Sequence, residues 1–215
     1  MNNTYSTVFH HIYQGNNTLS YILKNGEHKT FVFLITPTRT LQADISIELR
    51  GKDTKASVFG IVLPQNGASV FLTTRQVHKS AFSTSSFLLR SLLLTDSFVS
   101  YTGNIFIGDS ANGSDAFQQH DSMLLSSHAR VQTKPVLEIL QNDVSCKHGA
   151  TIHPIPEEIM WYAKTRTLNQ KHAELLYVNG FLKNLISRIP DPHMQKILEK
   201  QCEEKIGSYD KLTQN

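Results

Sequence analysis

Residues 41–50 read Leu-Gln-Ala-Asp-Ile-Ser-Ile-Glu-Leu-Arg, and this stretch decides the fold class. Every odd position in it is apolar and every even position is polar. Successive side chains of a β-strand point to opposite faces, so a period of two predicts a strand with one buried face. The buried face is expected to carry Leu41, Ala43, Ile45, Ile47 and Leu49.

The same alternation recurs along the chain up to about Ile155. One instance surrounds Gly103, and a shorter one begins at Ala68. Clusters of turn-forming residues separate these runs, at residues 24–26, 64–67 and 109–115. Many short strands with frequent turns are typical of a sandwich, a barrel or a β-helix, and the periodicity alone leaves all three open. The alternating apolar positions outside residues 41–50 are Ala68, Val70, Leu72, Val99, Tyr101, Ile105 and Ile107.

The period changes from Pro156 onward, where three helices are predicted. Proline is tolerated at a helix start, and Glu157 and Glu158 suit the positive end of the helix dipole. A second helix is predicted over residues 169–189, with one apolar stripe along it. A third is predicted to start at Asp191-Pro192 and to end near Gly207. The chain therefore divides into a β body over residues 1–155 and a helical region over residues 156–215. The stripe consists of Leu175, Val178, Leu182, Leu185 and Ile189.

Composition excludes several classes of protein. The 215 residues are 40% hydrophobic and 18% charged with a net charge of +3, which is ordinary for a globular domain and unlike a disordered chain. Lys and Arg form no patch or stripe, so no nucleic-acid partner is expected. No apolar run is long enough for a membrane span, and no signal peptide is visible at the start. Two distant cysteines are no disulfide framework and fit a reducing compartment, so the cytoplasm is expected.

Residues 133–151 carry a resemblance to a known family. They read Thr-Lys-Pro-Val-Leu-Glu-Ile-Leu-Gln-Asn-Asp-Val-Ser-Cys-Lys-His-Gly-Ala-Thr. This stretch resembles the signature of the SufB/SufD family of iron–sulfur cluster assembly scaffolds, on its SufD-like side. Residues 78–189 resemble the family block by block, and residues 15–77 do so only by strand pattern. The other matching blocks are His78, Ser85, Arg90, Gly103, Ile105, residues 111–118, residues 122–126, residues 157–166 and residues 173–181.

The resemblance implies a mainly β fold, a right-handed parallel β-helix followed by a C-terminal helical extension. It also implies a scaffold rather than an enzyme. The expected partners are a SufB-like protein, met through the β-helix, and the SufC-like ABC-type ATPase, held by the C-terminal helices. The implied cofactor is an iron–sulfur cluster, transient and shared with the partner. The sequence contains no Gly-x-x-x-x-Gly-Lys-Ser/Thr, so this chain is expected to bind no ATP itself.

Three departures from the family pattern stand out. An Arg-Gly pair is usual where this chain has Arg166-Thr167, and a second glycine is frequent where it reads Ile152-His-Pro154. Family members are also longer, with a helical domain before the β-helix. This chain is therefore expected to be a natural short form or a fragment without that domain, and a homodimer stays open.

Cys146 and His148 are the candidate metal ligands. They are two residues apart, so on a strand their side chains point to the same side. Thiolate and imidazole both bind iron, but a stable site usually needs three or four ligands. From the residues alone, Cys146 can equally be a small buried apolar residue and His148 a hydrogen-bonded structural one. The resemblance associates the histidine with cluster assembly at the SufB interface, where the partner would supply the missing ligands.

Other residues are weaker candidates. His120 lies about where a SufB-type member carries a cysteine, which favours the SufD role, and a surface position is expected for it. Glu138 is expected to be a solvated strand residue, and Cys202 to be incidental in a polar helix.

The first predicted helix carries Trp161, Tyr162 and Arg166, residue types that are enriched at binding hot spots. The resemblance implies that this region holds the ATPase, so these three residues are candidates for that interface. Alternatively, the two aromatic residues close the end of the β-helix.

Two other classes of function were weighed against the scaffold. A parallel β-helix enzyme acting on acyl or carbohydrate substrates would need a hexapeptide repeat, or clustered Asp or basic residues on adjacent coils with a signal peptide. Neither pattern is visible in the sequence. A β domain with an interaction role only, and no metal, is the third possibility.

Overall fold

The structure confirms the predicted order of strands followed by helices. It is a computed structural model that describes residues 6–212, with side chains up to residue 207. Residues 1–5, which bear on the expected lack of a signal peptide, and the last three residues of the predicted helical region lie outside this range. The described elements are β1 (Ser6–Ile12), β2 (Asn16–Leu23), β3 (His28–Ile35), β4 (Leu41–Leu49), β5 (Lys55–Val62), β6 (Ser69–His78), β7 (Thr84–Leu93), β8 (Phe98–Ile107), β9 (Ser114–Leu124), β10 (Arg130–Ile139), β11 (Val144–Pro154), α1 (Glu157–Thr165), α2 (Gln170–Ile186) and α3 (Pro192–Leu212).

The strands form two parallel sheets. The odd-numbered strands make a six-stranded sheet in the order β1-β3-β5-β7-β9-β11, and the even-numbered strands make a five-stranded sheet in the order β2-β4-β6-β8-β10. Neighbouring strands pair in parallel, and the chain passes from one sheet to the other at each turn. The result is a parallel β-helix of about five turns, so the predicted fold class is confirmed.

Apolar side chains fill the space between the two sheets in the first coils. Phe31, Val58 and Phe87 stack in one interior column of the six-stranded sheet, because their strands pair in register. The odd-numbered residues of β4 are buried, as the alternation predicted. Removing each large apolar side chain from water contributes roughly 1.5–3 kcal/mol, so this column is a main source of stability.

The interior becomes polar towards the C-terminal end. In the column that contains Phe87, the next coils place Gln118 and then His148 at the same register position. In the neighbouring column Leu89 is followed by His120. The last coils therefore need internal hydrogen bonds where the first coils need only apolar packing.

The three helices begin where the sequence predicted. Pro156 is the N-cap of α1, and Asn169 caps α2 by accepting a hydrogen bond from the backbone N–H of His172 at 2.9 Å. Asp191 precedes α3, and its carboxylate accepts from the backbone N–H of Met194 at 3.1 Å. The Asn169 and Asp191 side chains satisfy amide groups that have no partner inside the helix, whereas Pro156 makes no side-chain cap hydrogen bond.

Helices α2 and α3 cover the outer face of the six-stranded sheet. The predicted apolar stripe of α2 faces this sheet, and strand residues on the outer face share one hydrophobic cluster with the helices. Cys202 belongs to it and is buried, so it packs on the apolar side of α3, and the prediction that it is incidental to function stays a prediction. The cluster contains Val32, Leu34, Phe59, Ile61, Leu63, Leu92, Leu94, Met123, Val178, Leu182, Leu185, Ile186, Ile189, Met194, Leu198, Cys202 and Ile206.

The predicted end of the third helix near Gly207 is wrong, because α3 continues to Leu212. A glycine ends a helix by adopting a left-handed conformation, and Gly207 is not among the residues with positive φ. Its cost inside a helix, about 1 kcal/mol relative to alanine, is too small to stop one. The boundary between a body ending at residue 155 and a helical region from residue 156 stays a prediction.

Candidate functional site

The C-terminal end of the β-helix is open. Strands β10 and β11 are the last strands of their sheets, and in the part of the chain that the structure describes nothing pairs with their outer edges. Three apolar residues that stack over interior positions of the previous coil are exposed there: Leu137, Ile139 and Ile152. Unpaired strand edges next to exposed apolar side chains are a template for pairing with another chain.

Cys146 and His148 lie on β11 at this open end, as the strand prediction required. Cys146 stacks over Ala116 and His148 over Gln118, and both of these partners are buried in the interior. Parallel partners in register point to the same face, so the thiol and the imidazole face the end of the β-helix interior.

The two candidate ligands have different surroundings. Cys146 is half-buried and packs against the cluster that contains Ile105 and Ile107, which fits a small apolar residue. Burial raises the pKa of the Cys146 thiol, and the negative charge of Asp115 raises it further. Its thiolate therefore forms less readily than that of an ordinary cysteine. His148 is exposed.

At this position the described residues offer fewer ligands than a complete metal site needs. Among the described residues there is no group of three or more His, Cys, Asp and Glu side chains that could hold a metal ion. Cys146 and His148 offer a soft sulfur and an imidazole nitrogen, which suit iron but leave its coordination incomplete. The arrangement fits a site shared with a second chain.

A polar network lies directly beneath the open end, and the sequence prediction missed it. His120 is buried in the interior, so its expected surface position is wrong. Its Nε2 lies 2.8 Å from the Ser91 hydroxyl and 3.0 Å from that of Ser122, and its Nδ1 lies 2.9 Å from that of Thr133. Burial lowers the pKa of His120 to about 4, because the charged imidazole would lose its hydration.

A second buried histidine lies deeper in the body with hydroxyl partners of its own. His78 lies 2.7 Å from the hydroxyls of both Ser83 and Ser85, and burial lowers its pKa to about 4. Tyr101 and the hydroxyl of Thr74 are hydrogen-bonded at 2.8 Å, and burial raises the pKa of Tyr101. The alternation of side chains along β6 could have indicated these buried polar residues. Every second residue from Ala68 onward faces the interior, and these polar residues of β6 occupy the same positions in that alternation. They are Thr74, Gln76 and His78.

The candidate partner residues on α1 lie on the surface. Trp161 is 70% exposed and Tyr162 is 55% exposed, so neither side chain closes the end of the β-helix. The Arg166 Nε donates to the Tyr162 hydroxyl at 3.2 Å, and the guanidinium lies 5.3 Å from the centre of the Tyr162 ring. Glu138 is exposed on β10, as predicted.

A pocket of about 460 Å³ lies between α1, α2 and the outer face of the six-stranded sheet. We call it the α1–α2 pocket. Its lining is mostly apolar and contains no carboxylate. The lining residues are Arg90, His153, Ile159, Tyr162, Ala163, Arg166, Leu168, Ala173, Leu176, Tyr177, Gly180, Phe181 and Asn184.

None of the helices described is long and apolar enough to cross a membrane.

Comparison with known proteins gives one family. The model of the domain described as "SUF system FeS cluster assembly, SufBD core domain" matches residues 7–181, which run from β1 into α2. The iron–sulfur cluster assembly protein SufD of Escherichia coli K12 is 26% identical over 156 residues, which cover 73% of this chain and 37% of that protein.

Two proteins of Synechocystis, each named an iron–sulfur cluster assembly SufBD family protein, are also similar. One is 33% identical over 102 residues, covering 47% of this chain and 22% of its own length. The other is 25% identical over 165 residues, covering 75% of this chain and 34% of its own length. The chain thus spans between about a fifth and two fifths of the length of these relatives.

Proposed function

The chain belongs to the SufBD family of iron–sulfur cluster assembly proteins, and from this premise we propose that it is a SufD-like scaffold subunit of a cluster assembly complex. The observation that supports the proposal most directly is the open end of the β-helix, where the two candidate ligands lie beside unpaired strand edges. The proposed role is binding rather than enzymatic, and the proposed location is the cytoplasm.

Pairing with a SufB-like protein is proposed to occur through this open end. A strand of the partner can continue each sheet by hydrogen bonding to the free edges of β10 and β11. Contact there would bury Leu137, Ile139 and Ile152, which are exposed in the single chain. Apolar burial of this kind is the main favourable term in protein association.

The iron–sulfur cluster is the cargo of this complex, and Cys146 and His148 are the residues of this chain proposed to contact it. They offer two donors, so the partner is proposed to supply the others. Because the Cys146 thiol has a raised pKa, metal binding there must displace a proton. His148 is exposed, so it can reach a partner without any rearrangement of the fold.

The SufC-like ATPase is proposed to bind the surface of α1. Trp161 and Tyr162 expose aromatic area there, and the Arg166 guanidinium lies over the Tyr162 ring. Exposed aromatic and arginine side chains are the residue types that dominate binding energy. Because this chain has no phosphate-binding loop motif, the partner is the proposed source of energy.

Co-expression with a SufB-like protein tests the pairing. We expect the two chains to copurify and Leu137→Lys to abolish copurification, because a charge would be buried at the joint. Phe71→Lys is the matched control, since Phe71 is comparably exposed on a strand away from the open end. Copurification that survives Leu137→Lys would contradict pairing at this end.

The role of His148 is tested by His148→Ala in the reconstituted complex. We expect the yield of cluster, followed by its visible absorption, to fall several-fold while the circular dichroism spectrum stays unchanged. His128→Ala is the control, because His128 is exposed on a turn outside the open end. An unchanged cluster yield would return His148 to a structural role.

A further inference from the structure

The α1–α2 pocket is a mostly apolar recess on the helical side of the molecule, lined in part by residues of α1. Its volume of about 460 Å³ is within the range of sites that bind a ligand or a large side chain. Apolar residues at its rim stay exposed: Leu176 is 67% exposed, and Ile159 and Leu168 are exposed as well. Burial of such a rim is favourable, so the pocket is suited to an apolar occupant.

The residues that line the pocket include two arginines and no acidic residue. Arg90 forms part of its wall, with its guanidinium 4.6 Å from the centre of the Phe181 ring and its Nη2 donating to Asn184 at 2.9 Å. Its Nη1 is buried and has no hydrogen-bond partner among the described residues. The nearest carboxylate, that of Asp121, lies 3.9 Å from Nε and is not part of the lining.

Arg166 stands at the exposed side of the same pocket. Its only described side-chain contacts are with Tyr162, a neutral residue, and no carboxylate pairs with it in the described part of the chain. An arginine held against an aromatic ring and lacking an acidic partner is well placed to pair with a carboxylate from another molecule.

Gly180 is an exposed residue of the pocket lining with open space beside it. It lies inside α2, and a Cβ built on it would have no heavy atom within 4 Å. Glycine adds no side chain at this position, so the space beside it is free to receive a side chain from another molecule.

From these observations we propose that the α1–α2 pocket is the anchoring point for the ATPase partner, and that it receives an apolar side chain of that partner followed by a carboxylate that pairs with Arg166. The inference rests on the proposed function and adds the chemistry of the contact. The apolar side chain fills the space beside Gly180, and the exposed rim packs around it. The positive charge of Arg166, which has no acidic partner among the described residues, selects an acidic neighbour and rejects a basic one.

A substitution that fills the pocket with a side chain of this protein tests the proposal. In Gly180→Leu the new side chain occupies the space of the anchor, and we expect the Kd for the purified ATPase to rise at least tenfold. Gly207→Leu is the matched control, because Gly207 is also helical with open space around its Cβ but lies outside the pocket. Both variants should melt no lower than the unchanged chain, since leucine favours a helix over glycine.

The acidic part of the anchor is tested separately. Arg166→Glu should weaken ATPase binding more than Lys183→Glu, which makes the same charge change on an exposed residue outside the pocket. Arg166→Gln should also make binding less sensitive to salt than binding of the unchanged chain, because one ion pair is lost.

The outcomes separate the two proposals. If the unchanged chain fails to bind the ATPase, the proposed function and this inference both fall. If it binds and Gly180→Leu binds within twofold of it, the pocket is not the anchoring point, while the proposed function stands. If Gly180→Leu weakens binding but the Arg166 variants behave like the Lys183 control, the carboxylate contact is overturned.

Discussion

The burial of two histidines inside the β-helix depends on residues that are distant in the sequence. The alternation of residues 41–50 was sufficient to identify buried residues, because each side chain there is apolar. His120 lies in the polar run Gln-Gln-His-Asp-Ser, where no apolar phase marks the inner face. Its burial depends on hydroxyl groups from two other strands, Ser91 and Thr133, which only the register of the coils brings together.

These histidines predict an acid-sensitive fold. In the folded chain His78 and His120 have pKa values of about 4, below the ordinary 6.5. The unfolded chain therefore binds more protons between these values, and stability is full above pH 6.5 and falls as the pH drops towards 4. Each histidine can account for about 3 kcal/mol of this loss.

Chemical denaturation at several pH values between 7 and 5 measures the effect. His120→Gln should reduce the slope of the free energy of unfolding with pH, because one of the two groups no longer titrates. His193→Gln, on an exposed residue of α3, is the control and should keep the slope of the unchanged chain. Equal slopes for the two variants would mean that burial of His120 does not govern the acid response.

At the scale of elements, the sequence predicted the existence and the starts of the helices but not where they pack. Caps at Pro156, Asn169 and Asp191 are local signals, and all three mark helix starts in the structure. Nothing local indicates that α2 and α3 cover the face of the six-stranded sheet. That arrangement depends on Val32, Leu34 and other outward apolar residues far away in the sequence.

The covering of the sheet by α2 predicts a sharp difference between two leucines of one helix. Leu182 is buried in the shared cluster, so Leu182→Ala should lower the free energy of unfolding by about 2–5 kcal/mol. Leu176→Ala should change it by less than about 0.5 kcal/mol, since Leu176 is exposed. Urea denaturation of the two variants is the measurement. Similar losses would show that α2 does not pack as described.

At the scale of the whole molecule, the strands of the last coil of a β-helix have no further strand to pair with, so the hydrogen-bonding groups of their outer edges lack backbone partners. The resemblance of residues 133–151 to the SufB/SufD family led to the β-helix, where periodicity alone left a sandwich and a barrel open. It also identified the segment that ends the solenoid. The open end depends on the order of the strands in the two sheets, in which β10 and β11 are last, and no local sequence pattern indicates that order.

The open end predicts self-association when the partner is missing. In purified chain at rising concentration we expect sedimentation to show a dimer, because a second copy can cover the exposed Ile139 and Ile152. Ile152→Lys should shift the distribution to monomer. Ile22→Lys, on a comparably exposed residue of the N-terminal coil, should leave it unchanged. A monomer at all concentrations would contradict this expectation.

The packing of α2 and α3 on the six-stranded sheet affects how the molecule unfolds. A stack of coils that contact only their neighbours frays progressively from its ends. Here the two helices join one cluster with side chains of β3, β5, β7 and β9, and the charge of Lys205 on α3 acts on His11 in β1. Opening one coil of that sheet therefore removes packing shared by all of them. Strands β3, β5, β7 and β9 are thereby made a single cooperative unit, whereas the bare five-stranded sheet keeps the freedom to fray at β10, the strand where a partner is proposed to join.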